Sequence, residues 1–181
     1  MGEWSVRRYL RFVEIVAGSI IAILPGLVLT SPNLSISSQY FVLSLVLLVM
    51  GIVRIIVGTF AKYLSEALRY VSLRIGIFEL IFAIAALLLA EFATQILVYL
   101  LAFSLLTHGI TRTIIGGFAK VYPQWLRVFL VVVGLSTIVL SITVFVSARF
   151  GFQIPSLAIL SVVAILNGIA RILLGVMHAH R

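Results

Sequence analysis

The chain has 181 residues, of which 63% are hydrophobic and 10% are charged, and its mean hydropathy is +1.29. These proportions leave too few polar side chains to cover a water-soluble globule, so they exclude a soluble enzyme or binding domain and predict an integral membrane protein. A net charge of +8 in a soluble protein would suggest a nucleic-acid partner. The sequence has no cysteine, which excludes disulfides and thiolate metal sites.

Six apolar stretches follow one another along the chain, each close to the roughly 20 residues that a helix needs to cross about 30 Å of hydrocarbon. We predict spans at residues 12–29, 40–60, 70–90, 92–118, 125–147 and 154–177. The outer turns are then expected at 30–39, 90–94 and 148–155. The predicted fold class is therefore an all-α membrane protein with six transmembrane helices, forming a single domain over residues 1–181.

The basic residues are divided unevenly between the two sides of the predicted membrane. Arg149 alone lies on the outer side, whereas twelve lie in or near the N-terminus, the second and fourth connections and the C-terminus: Arg7, Arg8, Arg11, Arg54, Lys62, Arg69, Arg74, Arg112, Lys120, Arg127, Arg171 and Arg181. The positive-inside rule then predicts a multi-pass protein of the plasma (inner) membrane with both termini in the cytoplasm. This topology explains the basic charge, so no nucleic-acid partner is expected.

A two-helix unit occurs three times along the chain. Its trailing segment reads GIVRIIVG from Gly51, GITRTIIG from Gly109 and GIARILLG from Gly168, and its leading segment reads LRFVEIVAG from Leu10, LRYVSLRIG from Leu68 and LRVFLVVVG from Leu126. Spacings of 58 or 59 residues define helical-hairpin repeats at about 9–62, 67–120 and 125–178. Each unit crosses the membrane twice, so the three hairpins have parallel orientations and a pseudo-threefold axis is predicted along the membrane normal.

The trailing signature is Gly-Ile-x-Arg-x-x-x-Gly. On a helix its two glycines and its arginine lie on one face about 60° wide, and the residue before each copy, Met50, His108 or Asn167, borders that face. Counting from the outer turns places the glycines of each hairpin at equal depth, in the pairs Gly18 with Gly51, Gly76 with Gly109 and Gly134 with Gly168. We therefore predict close helix packing through small residues within each hairpin. The predicted packing glycines are Gly18, Gly51, Gly58, Gly76, Gly109, Gly116, Gly134, Gly168 and Gly175.

The repeated unit resembles a known family. Its leading arginine followed seven residues later by glycine, and its trailing Gly-Ile-x-Arg-x-x-x-Gly, are similar to the repeats of the HdeD-like acid-resistance membrane proteins over almost the whole chain. The resemblance implies a six-span inner-membrane fold associated with acid stress. The residues that match the motif are Gly51, Arg54, Gly58, Gly109, Arg112, Gly116, Gly168, Arg171 and Gly175. Only the first unit has a Pro-Gly, Pro25 and Gly26, near its outer helix end, whereas the resemblance leads us to expect this feature more widely.

The three signature arginines, Arg54, Arg112 and Arg171, lie about 10 Å along the helix axis from their helix ends. In one interpretation, each arginine reaches the interface, where it satisfies helix-end carbonyls or a phosphate and anchors its hairpin. In the other, the three arginines face inward as a basic ring that contacts an anionic lipid headgroup or gates an anion. The choice depends on the direction in which the glycine-arginine face points.

Glu79 is the one carboxylate predicted near the middle of the membrane, and a charge there is costly unless it is paired. His108 lies at nearly the same depth on the antiparallel helix, so the two are predicted to form an intramembrane polar pair that relays protons or simply neutralises itself. Glu14, near the start of the first helix, is expected to be solvated or ion-paired at the cytoplasmic surface. Three hydroxyl side chains are expected to complete a small polar network around His108: Ser104, Thr107 and Thr111.

No catalytic residue, metal site or cofactor site is predicted, because nucleophile elbows, phosphate loops, paired catalytic carboxylates and metal-ligand spacings do not occur in the sequence. We expect a structural role in the membrane, through contacts with lipids or proteins, in tolerance of acid or another membrane stress. Two alternatives stay open: an accessory subunit of a larger membrane complex, and a small-ion or proton pathway. The expected partners are membrane lipids, with membrane proteins or further copies of the chain as alternatives.

Overall fold

The computed structural model describes residues 3–31, 33–89, 94–151 and 153–177, without the side chains of residues 3–7, 94 and 153–155. The described chain forms six α-helices: α1 (Glu3–Thr30), α2 (Ile36–Phe60), α3 (Glu66–Leu89), α4 (Thr94–Phe118), α5 (Gln124–Arg149) and α6 (Gln153–Met177). All six are long and apolar enough to cross a membrane. The predicted all-α fold class with six spans is therefore confirmed. Most of the predicted turn at 90–94 lies outside the described residues.

The surface and the interior have the polarity expected of a protein surrounded by hydrocarbon. Large apolar side chains project outward, and Leu88 and Phe118 are 72% and 74% exposed. The buried side chains include many polar ones, because inside the bundle they can find hydrogen-bond partners that lipid tails do not offer. The buried uncharged polar residues among those described are Ser44, Ser72, Ser104, His108, Thr111, Thr137, Ser141, Ser156, Ser161 and Asn167.

The even-numbered helices are central and the odd-numbered helices are peripheral. The apolar windows of α2, α4 and α6 are 56%, 50% and 50% buried, against 33%, 28% and 33% for α1, α3 and α5. The three central helices contact one another, and α1 contacts α6, so the described contacts close a ring. The same contacts recur for each hairpin. They agree with the predicted pseudo-threefold axis, which itself stays a prediction.

The closest helix contacts join successive hairpins. A Cβ placed on Gly51 of α2 would lie 3.1 Å from the carbonyl oxygen of Gly76 in α3, and one on Gly109 of α4 would lie 2.8 Å from that of Gly134 in α5. The last hairpin meets the first in the same way, since a Cβ on Gly168 of α6 would lie 2.7 Å from the Gly18 carbonyl oxygen in α1. We call these three contacts the glycine seams. The predicted pairing within hairpins is therefore wrong.

The second glycine of each signature extends the seam toward the leading segment of the next unit. A Cβ on Gly58 would lie 2.8 Å from the Leu73 nitrogen, and one on Gly116 would lie 2.8 Å from the Arg127 carbonyl oxygen. A Cβ on Gly175 would lie 2.6 Å from a side-chain carbon of Ile15. Equal depth gave no information on which neighbouring helix each glycine faces, and this is why the sequence-based pairing failed.

Two of the leading arginines cap central helices. Arg69 of α3 donates from Nε to the Gly58 carbonyl at 3.2 Å and from Nη2 to the Thr59 carbonyl at 2.9 Å. Arg127 of α5 makes the equivalent bonds to α4, with Nε 3.1 Å from the Gly116 carbonyl oxygen. The carbonyls in the last turn of a helix have no partner within the helix, so these cations satisfy them and favour the helix dipole.

Candidate anion-binding site

The three signature arginines point into the bundle. Arg54, Arg112 and Arg171 are 5%, 5% and 4% exposed, and all three line one cavity of about 40 Å³. This arginine cavity lies at the end of the bundle where α2, α4 and α6 end, which we call the basic end. Its wall also includes Glu14 and Ser72. A single water needs roughly 10–15 Å³ on this measure, so the cavity has room for a small polar ligand.

Each arginine joins its own central helix to the next one. Nη2 of Arg54 donates to the His108 carbonyl at 3.4 Å, and Nη2 of Arg112 donates to the Asn167 carbonyl at 3.3 Å. Nη2 of Arg171 donates to the Met50 carbonyl at 3.4 Å and completes the cycle. We call this cycle the arginine ring. Each of its bonds is at the long end of the hydrogen-bond range and is therefore weak. Together the three bonds fix the direction of the three side chains.

The acceptors of the ring explain a feature of the sequence. They are the residues that directly precede the first signature glycine, and their side chains differ completely: Met50, His108 and Asn167. Because the backbone carbonyl accepts the bond, the side chain at this position is free to vary. The sequence placed these residues beside the arginine face but gave no indication that their backbone was the partner.

Two of the arginines have a carboxylate partner. Nε of Arg54 lies 3.2 Å from Oε2 of Glu79, and Nη1 of Arg171 lies 3.2 Å from Oε2 of Glu14. Among the side chains that the structure describes, no carboxylate lies within the 4.0 Å ion-pair distance of Arg112. Glu14 was expected to be either solvated or ion-paired at the cytoplasmic surface, and the structure has the ion pair, although the side chain is buried. It is 5% exposed and pairs with the third hairpin, because α6 packs on α1.

The repeat explains why Arg112 is the exception. Glu14 of the first unit corresponds to Ser72 and Leu130 in the second and third units, and Ser72 and Leu130 both line the arginine cavity. Glu79 corresponds to Thr137 in the third unit. Arg112 lies on α4, which packs against α5. At the two positions where α1 or α3 has a glutamate, α5 has the uncharged residues Leu130 and Thr137. The buried cation therefore faces neutral groups.

Glu79 and His108 are in contact, as the sequence predicts. Nδ1 of His108 lies 3.1 Å from Oε1 of Glu79, and both side chains are fully buried. The equivalent positions of the third hairpin form a neutral bond instead, with Nδ2 of Asn167 donating to Oγ1 of Thr137 at 3.1 Å. The expected hydroxyl network does not form: Thr107 and Thr111 donate to carbonyls of their own helix, and Oγ of Ser104 has no hydrogen-bond partner among the described residues.

Part of the space between the three central helices is apolar. A second cavity of about 10 Å³ lies between the three central helices and is lined only by apolar side chains, among them the equivalent leucines Leu43, Leu101 and Leu160. It has room for one water at most. No polar group of its lining would hold an ion or a water chain, and we call this lining the apolar layer.

The wall of the arginine cavity at the basic end adds no further charge. Tyr122, in the connection between α4 and α5, lines the cavity and hydrogen-bonds with Tyr63. Burial raises the pKa of Tyr122, so its phenol stays neutral. The charged groups of the site are therefore the three guanidinium groups together with Glu14 and Glu79.

Comparison with known proteins supports the repeat and gives no activity. Residues 74–146 match a protein family described as "Short repeat of unknown function (DUF308)". The match extends from α3 into α5 and contains Arg112, the Glu79–His108 pair and the glycine seam between α4 and α5. Neither the curated proteins nor the solved structures contain a match to the chain.

Proposed function

We propose that this multi-pass membrane protein binds an anionic group in the arginine cavity. The group is either the phosphate of a lipid headgroup or a small inorganic anion. The observation that carries the proposal is the burial of three guanidinium groups around one cavity, where the described side chains supply two carboxylates to neutralise them. A buried charge without a partner is costly in a medium of low dielectric constant, so a bound anion would stabilise the folded state.

The cellular role that fits this site is structural. An anionic ligand at the centre would join three hairpins that otherwise meet through glycine seams and long hydrogen bonds. We propose that the basic end faces the cytoplasm of a plasma (inner) membrane, because twelve of the thirteen basic residues belong to that side in the predicted topology. Tolerance of acid or another membrane stress is the cellular setting that we propose, and it rests on the resemblance to HdeD-like proteins.

A proton pathway is a second candidate, favoured by the contact between Glu79 and His108. Two observations oppose it. Nε2 of His108 has no hydrogen-bond partner among the described residues, and the apolar layer around Leu101 separates the pair from the other end of the bundle. Glu79 also pairs with Arg54, which favours neutralisation of the carboxylate over proton transfer.

The proposal is tested by removing the charges of the site together. Replacing only the three arginines by glutamine would leave Glu14 and Glu79 buried without partners, so loss of folding would obscure loss of binding. The variant therefore carries Arg54→Gln, Arg112→Gln, Arg171→Gln, Glu14→Gln and Glu79→Gln. Phosphorus and halide are measured per protein after purification in a neutral detergent. We expect the wild type to retain one anion and the variant none; equal retention by the two proteins would refute the proposal.

A further inference from the structure

The three arginines of the cavity are chemically unequal although they occupy equivalent positions of the repeat. Arg54 and Arg171 each have a carboxylate at 3.2 Å, whereas the partner of Arg112 among the described residues is the Asn167 carbonyl at 3.3 Å. Nη1 of Arg112 is buried and has no hydrogen-bond partner among the described residues. This nitrogen belongs to a side chain that is 5% exposed and lines the cavity.

The charge of the site is correspondingly small. Among the described side chains, three guanidinium groups face two carboxylates, which leaves one formal positive charge, and Arg112 is the arginine without a carboxylate partner. Nη1 of Arg54 also lacks a hydrogen bond, but its cation is already neutralised by Glu79. A doubly charged ligand would bring an excess negative charge into a buried site beside Glu14, which also lines the cavity. Desolvation of that excess charge opposes its binding.

We infer that Arg112 is the ligand-binding arginine and that the ligand is a monoanion, either the phosphodiester of a lipid headgroup or a free halide-sized ion. Arg54 and Arg171 are positioning residues, held by their carboxylates and linked to the neighbouring helices. This inference rests on the proposed function and assigns its ligand class and its binding residue. A guanidinium fork forms charge-assisted hydrogen bonds with such an anion, and the cavity of about 40 Å³ favours a small one.

The first experiment compares ligand charge. Delipidated protein in a neutral maltoside detergent, with gluconate as a background anion too large for the cavity, is titrated with sodium bromide or with sodium sulfate at equal ionic strength. The midpoint of thermal unfolding is measured. In parallel, native mass spectrometry counts the lipid retained from vesicles of phosphatidylglycerol or of phosphatidylcholine. We expect bromide to raise the midpoint and sulfate to leave it unchanged. A bromide effect without retained phosphatidylglycerol identifies a free ion as the ligand, and the reverse result identifies a headgroup.

The second experiment compares the arginines, with matched controls that the chain itself supplies. Arg112→Gln should weaken monoanion binding about 10-fold to 100-fold, because a charge-assisted hydrogen bond is lost. Two double variants each remove an arginine together with its carboxylate: Arg54→Gln with Glu79→Gln, and Arg171→Gln with Glu14→Gln. Both should weaken binding less than Arg112→Gln does, since the single net charge on Arg112 is retained.

A third variant adds a carboxylate where the repeat shows that one fits. Leu130 is fully buried, lines the cavity and corresponds to Glu14 of the first unit. Leu130→Glu should pair with Arg112 and abolish the response to bromide while the protein stays folded, so it tests the inference even if Arg112→Gln does not fold. Three results would overturn the inference and leave the proposed function standing. They are equal weakening of binding by the loss of any one arginine, tighter binding of sulfate than of bromide, and a full bromide response in Leu130→Glu. If no anion binds the wild type, the proposed function fails as well.

Discussion

Replacing Gly168 by alanine should open the contact that closes the ring of helices. A Cβ at this position would lie 2.6 Å from the Ala22 nitrogen and 2.7 Å from the Gly18 carbonyl oxygen, where ordinary contact begins at 3.4 Å. Both atoms belong to the backbone of α1, so α1 and α6 must separate by about 0.8 Å at this point. A gap of that size removes roughly a quarter to a half of the dispersion energy of each contact along the seam. We expect the free energy of unfolding to fall by about 2–3 kcal/mol, in the upper part of the overpacking range.

The matched control is Gly117→Ala, because a Cβ on Gly117 of α4 would meet nothing within 4 Å. It should leave stability unchanged or raise it by up to about 1 kcal/mol, since alanine favours the helix. Gly51→Ala, whose nearest contact would be at 3.0 Å, should cost less than Gly168→Ala. Unfolding by SDS in mixed micelles, followed by circular dichroism, measures all three. Equal stability of Gly168→Ala and Gly117→Ala would refute the assignment of the seam.

Three further changes test the charged groups and the helix caps, again by SDS unfolding unless stated. Glu79→Gln leaves the Arg54 cation buried without its carboxylate and should lower the free energy of unfolding by about 3–5 kcal/mol. Adding Arg54→Gln should recover part of this loss, and additive losses from the two substitutions would contradict the ion pair. Arg112→Met should leave stability in anion-free detergent unchanged or raise it, because no carboxylate loses a partner, and a loss as large as that of Glu79→Gln would contradict this. Arg127→Gln should speed amide hydrogen exchange in the last turn of α4 but not of α6, with a cost of about 1 kcal/mol.

Much of the fold follows from the sequence because the relevant signals are local. Length and hydropathy predicted six spans, and the repeated segments predicted three hairpins. The sequence did not indicate which neighbour each glycine faces, since Gly51 is level with both Gly18 and Gly76 by residue counting. Only the direction of the glycine face in the folded bundle distinguishes the two, and that direction depends on how all three hairpins close.

The site was predicted in its residue types but not in its connections. Equal depth brought Glu79 and His108 together correctly, because they lie on antiparallel helices of one hairpin. The partner of Arg171 was missed for the opposite reason: Glu14 is 157 residues away in sequence and becomes adjacent only when α6 packs on α1. Once the seam is assigned between units, residue counting does place Arg171 level with Glu14.

The position of the anion can be observed directly. Crystals of the wild-type protein grown in sodium bromide and measured at the bromine absorption edge should show an anomalous peak within hydrogen-bonding distance of Nη1 of Arg112, or else the phosphate of a retained lipid at the same place. The same fold, with arginine side chains around a cavity that holds neither bromide nor phosphate, would contradict the assignment of an anion to Arg112.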